Sequence, residues 1–353
     1  MSYTTINKSS SFMNTKLYTG NGSTNAITGV GFQPDMTWIK IRTQEYSHRI
    51  FDAVRGATKY VHPDTNEEEY TTATSLTAFN TDGFTLGSNA GDNKSGDTFT
   101  SWNWKAGTTG SGTTTGSGTG TTYSYSVNTT SGFSIVKYIG NGTAGHTIPH
   151  HLGVVPKMII VKSTASGQSW IVLPPTTDGY NKDMKLEDNS ALGNSDVWNN
   201  TAPTSTVFSV GSNTNMNANN VTLIAYSFAE KQGFSKMGSY TGNGNADGTF
   251  VYTGMRPSFV MVKRTNGTNS WYIYDAKRDG ANAGTGQTGG NRSLRPDTKE
   301  AEEQASGYPM DILSNGFKWR GTSNQQNGSG DTYIYMTIGQ SVVGSNNVPC
   351  TAR

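Results

Sequence analysis

Four groups of residues in this chain have the types and spacing to do chemistry. The first is Tyr-x-Gly-Asn-Gly, which occurs at Tyr18, Tyr138 and Tyr240. Aromatic faces and amides are the groups a carbohydrate site uses for stacking and paired hydrogen bonds. Tyr18, Asn21, Tyr138, Asn141, Tyr240 and Asn243 are therefore the candidate ligand-binding residues. The simpler reading of the same string is a tight Asn-Gly turn behind a core tyrosine. The second group is Asp-x-x-Arg, at Asp52/Arg55 and Asp275/Arg278. It could be an ion pair that grips a ligand at a strand end, or more simply an Asp turn clamped by an arginine. Between these copies, Pro174 and Thr177 stand at the matching places, so a catalytic duty shared along the chain is not expected.

The third group is His146, His150 and His151, a spacing at which imidazoles could hold a transition metal. No histidine stands at the aligned positions elsewhere, and no Cys or clustered carboxylate lies nearby to complete a ligand set. The fourth is Glu67-Glu68-Glu69 beside Asp64. It could lend a carboxylate to glycoside hydrolysis, which needs two carboxyls at a defined separation. A run of adjacent acids in a Thr/Asn-rich segment reads more simply as a solvated loop. Gly-x-Ser-x-Gly, phosphate-loop and His-Glu-x-x-His patterns are absent. The expectation is a protein that is not an enzyme, with no metal and no cofactor. Any ligand should be held by Trp and Tyr near loop tips rather than by charged groups.

The elements that position these groups are set by repetition. Each Tyr-x-Gly-Asn-Gly is followed by a second block: Gly31-Phe-Gln-Pro34 to Lys40, Gly153-Val-Val-Pro156 to Lys162, and Gly254-Met-Arg-Pro257 to Lys263. Self-similarity at a fixed period defines one fold written three times. The runs Met36–Ile41, Met158–Val161 and Phe259–Val262 are apolar and β-branched, with a proline upstream that bars hydrogen bonding at a strand entrance. Eight residues past each shared Lys lie His48–Asp52, Trp170–Pro174 and Trp271–Asp275, so each pair of runs reads as a hairpin. Asp82-Gly-Phe84 and Asn315-Gly-Phe317 open a further strand, and Phe208 fills that slot in repeat two. A closing strand carries Trp102 and Trp104, Tyr226 and Phe228, or Tyr333 and Tyr335, spaced to face one side of a sheet.

The fold class is therefore all-β, with three tandem β-sandwich repeats of the jelly-roll or lectin-like kind. Residues 1–106 are an N-terminal arm plus repeat one, 123–231 repeat two, and 232–353 repeat three plus a C-terminal tail. Between repeats one and two, 107–122 contains only Gly, Thr and Ser and reads as a flexible connector. Repeats two and three are joined tightly. One helix is expected at Pro296–Ala305, with Pro near its start and Gly307 past its end.

Composition removes whole classes of function. The net charge is +2 with no basic stripe, so nucleic-acid binding has no electrostatic support. Aromatics at 10% exclude disorder. No apolar run reaches membrane-spanning length, and the start of the chain lacks a basic-then-apolar signal pattern. The one cysteine, Cys350, cannot form an internal disulfide. The polar, β-prone segments Ser2–Lys16 and Gln340–Arg353 could dock on other subunits, which makes Ser2, Tyr3, Ile6, Val342 and Val343 the candidate assembly residues.

Several blocks together resemble a family. Met1-Ser-Tyr-Thr-Thr-Ile-Asn-Lys-Ser9, Tyr18 to Asp35, His48 to Gly56, Asp82 to Asn89, Trp102-Asn-Trp-Lys-Ala106 and Val343 to Pro349 are similar to repeat-containing virion proteins of marine tailed phages. These are tail-fibre-like proteins with concanavalin-like sandwiches. The resemblance implies a structural protein on the virion surface, made in the host bacterial cytoplasm. Its partners would be other virion proteins, further copies of itself and a host-surface carbohydrate. Two roles follow, a fibre-like glycan binder and a capsid decoration or tail-tube component. A glycan depolymerase is the third, and the one with least support in the residues.

Overall fold

The computed structural model describes residues 3–165, 167–176, 179–278, 291–304 and 309–344. It is all-β and built of sandwiches, as the strand signals require. In each repeat the first strand, the closing strand and the Pro-led hairpin form the larger sheet. Met13–Thr19 pairs with Thr98–Trp104, which pairs with Met36–Ile41, which pairs with Arg49–Asp52. Repeats two and three have the same order, through Phe133–Ile139, Thr222–Phe228 and Met158–Ser163 and through Ser235–Thr241, Thr332–Gln340 and Arg256–Arg264. A smaller sheet covers one face. Asn25–Thr28 and Leu76–Asn80 flank Gly83–Leu86 in repeat one, and Phe250–Tyr252 and Met310–Leu313 flank Gly316–Trp319 in repeat three.

Every residue of Met36–Ile41 and of Met158–Ser163 is buried. Successive strand side chains point to opposite faces, so a fully buried strand needs cover on both. On one face Ile39 and Ile41 join Phe84, Leu86 and Phe99 in a core private to sandwich one. Sandwiches two and three have equivalent private cores. On the other face Trp38, Trp102 and Trp104 meet Ile160, Trp170, Tyr226 and Phe228 of repeat two and Phe259, Met261, Trp271 and Met336 of repeat three in one shared cluster. Full burial of one such large apolar side chain stabilises by roughly 1.5–3 kcal/mol, so this cluster is a principal source of cohesion. Its middle is filled: the cavity there is about 10 Å³, at the lower limit for one water.

The same backbone bond recurs at every junction. Glu69 N–H donates to Thr164 O at 3.0 Å, Leu192 N–H to Thr265 O at 2.8 Å, and Glu302 N–H to Arg42 O at 2.8 Å. The acceptors are each two residues past the shared Lys. Repeat one thus grips two, two grips three, and three grips one. The three sandwiches close into a ring with approximate threefold symmetry.

Four expectations are corrected. The segment 107–122 is not a flexible connector, because Thr108–Thr113 pairs with Thr122–Asn128 and Thr115–Gly116 pairs with His146–Pro149. A Gly/Thr/Ser stretch buries little side chain, but its backbone can still complete a ladder, and Thr114 is buried. The helix at Pro296–Ala305 is not formed over the described residues. Arg292–Ser293 pairs instead with Glu303–Gln304, and Ala305 and Gly307 lie outside the described residues. In repeat three the inward positions of the closing strand are Met336 and Ile338, opposite Met261 and Phe259, whereas Tyr335 belongs to the private core. Finally, the N-terminal arm docks on its own chain. Ile6 is buried in the shared cluster, Tyr3 OH donates to Gly254 O at 2.7 Å, and Ser9 N–H donates to Gln340 Oε1 at 2.8 Å. Ile6 is therefore unavailable to another subunit. Val342 is exposed and Val343 partly so; Ser2 and Cys350 lie outside the described residues.

Candidate functional site

Each Tyr-x-Gly-Asn-Gly clamps one buried asparagine. Asn93, Asn217 and Asn327 end short turns next to their sandwiches and are almost fully buried. Their Oδ1 atoms accept the N–H of Asn21, Asn141 and Asn243 at 3.0, 2.9 and 3.1 Å. Their Nδ2 atoms donate back to the Oδ1 of those same residues at 3.0, 3.3 and 3.0 Å. Further Nδ2 bonds reach the carbonyls of Gly87, Gly211 and Gly321 at 2.6, 2.9 and 2.9 Å. The tyrosine hydroxyls donate to Asp92 O, Met216 O and Gln326 O, each at 2.7 Å. Burial raises the pKa of Tyr18, Tyr138 and Tyr240, so all three stay protonated donors.

The glycines of the motif now have reasons. A Cβ on Gly20, Gly140 or Gly242 would collide with the carbonyl oxygen of Lys94, Ala218 or Gly328. Gly22, Gly142 and Gly244 have φ of +68°, +71° and +63°, which favours glycine. The six candidate ligand-binding residues thus form three equivalent braced turns. The asparagine side chains remain at the surface or near it, while the tyrosine rings pack inward, Tyr18 on Phe99 at 5.0 Å and Tyr240 on Tyr333 at 4.9 Å.

A second constellation lies at the junctions. Arg55 Nε donates to Asp52 Oδ2 at 2.5 Å and Arg278 Nε to Asp275 Oδ2 at 2.5 Å, with both pairs buried. Each arginine also reaches a glutamate, Glu69 or Glu302, at 3.2 Å. Burial opposes charge on Arg55, but Asp52, Tyr226 and Glu69 outweigh it and raise its pKa. The free side of each aspartate binds the next sandwich: Tyr226 OH donates to Asp52 Oδ2 at 2.8 Å, and Trp102 Nε1 to Asp275 Oδ2 at 3.0 Å. Repeat two has no such aspartate. The side chain that would face it, aligned with Trp102 and Tyr226, is Met336, which needs no acceptor.

The shared lysines complete the junctions. Lys40, Lys162 and Lys263 are fully buried, and burial lowers each pKa to about 8. Lys40 Nζ donates to Lys299 O of repeat three at 3.2 Å, and Lys263 Nζ to Ser190 O of repeat two at 2.8 Å. Lys162 Nζ bonds within its own repeat, to Ser163 O and Gln168 O. Burial also raises Asp297, beside Lys263, to about 6. An amine of lowered pKa beside a carboxyl could serve as a nucleophile or base. Here each Nζ is enclosed by the backbone carbonyls it binds, which makes it a staple between loops.

The remaining candidates separate. His146 bonds Thr114 Oγ1 and Asn217 Oδ1, His150 bonds Thr204 O, and His151 bonds the Tyr123 hydroxyl. No group of three His, Cys, Asp or Glu placed to hold a metal ion occurs among the described residues. Glu67 and Glu68 are exposed, while Glu69 is drawn to Arg55 and Lys59. Tryptophan does not occupy loop tips: all seven Trp are buried. The most exposed aromatic among the described residues is Tyr252, at 60%. Sequence reasoning missed the buried asparagines. Their signal was Asn89…Asn93, Asn213…Asn217 and Ser323…Asn327, a capping residue four before an asparagine in every repeat.

Residues 8–341 match a described family, so the chain belongs to it. That family is the Domain of unknown function (DUF7483). No curated protein and no solved structure matches the chain. No helix among the described residues is long and apolar enough to cross a membrane.

Proposed function

We propose that this chain is a surface protein of a phage virion, tail-fibre-like in role, that attaches the particle to carbohydrate on its host. The observation that carries the reading is the closed ring: three braced Asn-Gly turns with one geometry, on sandwiches locked together by one filled core. A rigid body with repeated surface turns suits binding by several weak contacts at once. Acidic, basic and aromatic groups are largely committed to holding the ring, which favours attachment over catalysis. The Asn21, Asn141 and Asn243 turns are the places where a sugar hydroxyl would be met.

The approximate threefold symmetry favours a second reading, a decoration protein seated where three neighbouring subunits of a capsid meet. Labelling the protein on purified particles for electron microscopy separates the two. Tail-tip density is expected, density over the capsid supports decoration, and absence from the particle refutes both. A glycan array run with the purified protein should give specific binding, and an empty array refutes the carbohydrate part.

A further inference from the structure

Sandwich two differs from its neighbours along one side. There Thr122–Asn128 pairs with Phe133–Ile139, the outer strand of the larger sheet, and Thr115–Gly116 pairs with His146–Pro149, the outer strand of the smaller one. The segment after repeat one thus seals both free edges of that sandwich. In sandwich three the matching strands are Ser235–Thr241 and Phe250–Tyr252. Among the described residues their outer sides meet no further strand, apart from a single bridge between Ser235 and Lys231.

This open side has the composition of a covered one. Phe250 and Tyr252 are 43% and 60% exposed and project from the same face of their strand. Ile148 opposite Phe208 and Val251 opposite Phe317 set the alignment, which places Phe250 at the position of Thr147. Thr147 is paired with Thr115 in sandwich two. A cleft of about 430 Å³ runs between the two open edges, lined by Tyr3, Gln232, Lys236 and Tyr252. Its charges cancel, since Lys236 and Glu230 pair at 3.2 Å.

The strands covering sandwich two also show what chemistry fits. Gly110 and Gly112 lie against the rings of Tyr125 and Tyr123 on the adjacent strand, where a Cβ would crowd the phenol. An aromatic residue on one strand is matched by glycine on the next. In sandwich three the aromatics stand on the acceptor, so the glycine belongs to the incoming strand. We propose that the open side of sandwich three accepts an extended, uncharged, Gly/Thr/Ser-rich segment of another polypeptide, which adds to Ser235–Thr241 and Phe250–Tyr252 as a further strand. Backbone hydrogen bonds to the edges supply affinity, and the aromatic–glycine match supplies register. In sandwich one the matching strand, Asn25–Thr28, presents Asn25, Ala26 and Thr28 instead, so this site is particular to the third sandwich.

The test uses the whole protein and a synthetic peptide with the sequence of residues 107–128. Hydrogen exchange should slow at Ser235–Thr241 and Phe250–Tyr252 when the peptide is added. The double variant Phe250→Thr, Tyr252→Ser should weaken peptide binding at least tenfold. Its melting temperature should stay unchanged, because both side chains face solvent. Undiminished binding by the variant overturns the proposal. So does protection that is absent, or that appears only at Phe133–Ile139, where the peptide would merely replace the chain's own strand.

Discussion

Asn217 makes more polar contacts than its exposed partner in the motif. Its amide donates to the Asn141 side chain, Thr143 O and Gly211 O, and its Oδ1 accepts the Asn141 N–H. Replacing it with alanine strands several buried groups at once, and an unmet buried group costs roughly 1–3 kcal/mol. Asn217→Ala should lower unfolding free energy by about 2–4 kcal/mol, read as a fall in the urea midpoint at constant slope. An unchanged midpoint would mean that the turn is held by other means. The turn itself was legible from Asn-Gly and from the tyrosine before it. Its buried partner was not, because Asn217 lies 76 residues from Asn141, and nothing local marks one asparagine among many as buried.

The Pro-led hairpins and the Asn-Gly-Phe turn were legible because alternation, proline and turn dipeptides are local signals. The segment 296–305 misled for the same reason. Its Glu-rich run favours helix locally, but Glu302 must reach Arg42 of repeat one at 2.8 Å as well as Arg278. That tertiary demand prevails over propensity. The arginine at the end of this network gives a direct test. Arg278→Met leaves Asp275 and Glu302 buried without their guanidinium, and losing one partner of a buried ion pair destabilises by about 3–5 kcal/mol. Lys185→Met, which removes a pair that is exposed on both sides at 3.7 Å, should change stability by less than about 1 kcal/mol. Equal effects from the two variants, measured by thermal denaturation, would remove the junction from the account of stability.

Taken alone, the repeats read as three independent sandwiches with the first held loosely, and that picture implies separate melting. The ring implies the opposite, since each large sheet has one face in its own core and one in the shared cluster. Scanning calorimetry should give one transition with equal calorimetric and van't Hoff enthalpies; two resolved peaks would refute the coupling. The ring escaped the sequence reading because its closing residues are ordinary apolar strand positions, and the alternation that reveals a half-buried strand vanishes when both faces are covered.

Joining the three sandwiches covalently has a consequence for how the ring survives dilution. A trimer of separate subunits falls apart as its concentration drops below its dissociation constant. Here the third junction, Glu302 to Arg42, is closed within one polypeptide. Its integrity is therefore independent of concentration, and a single molecule keeps its threefold shape.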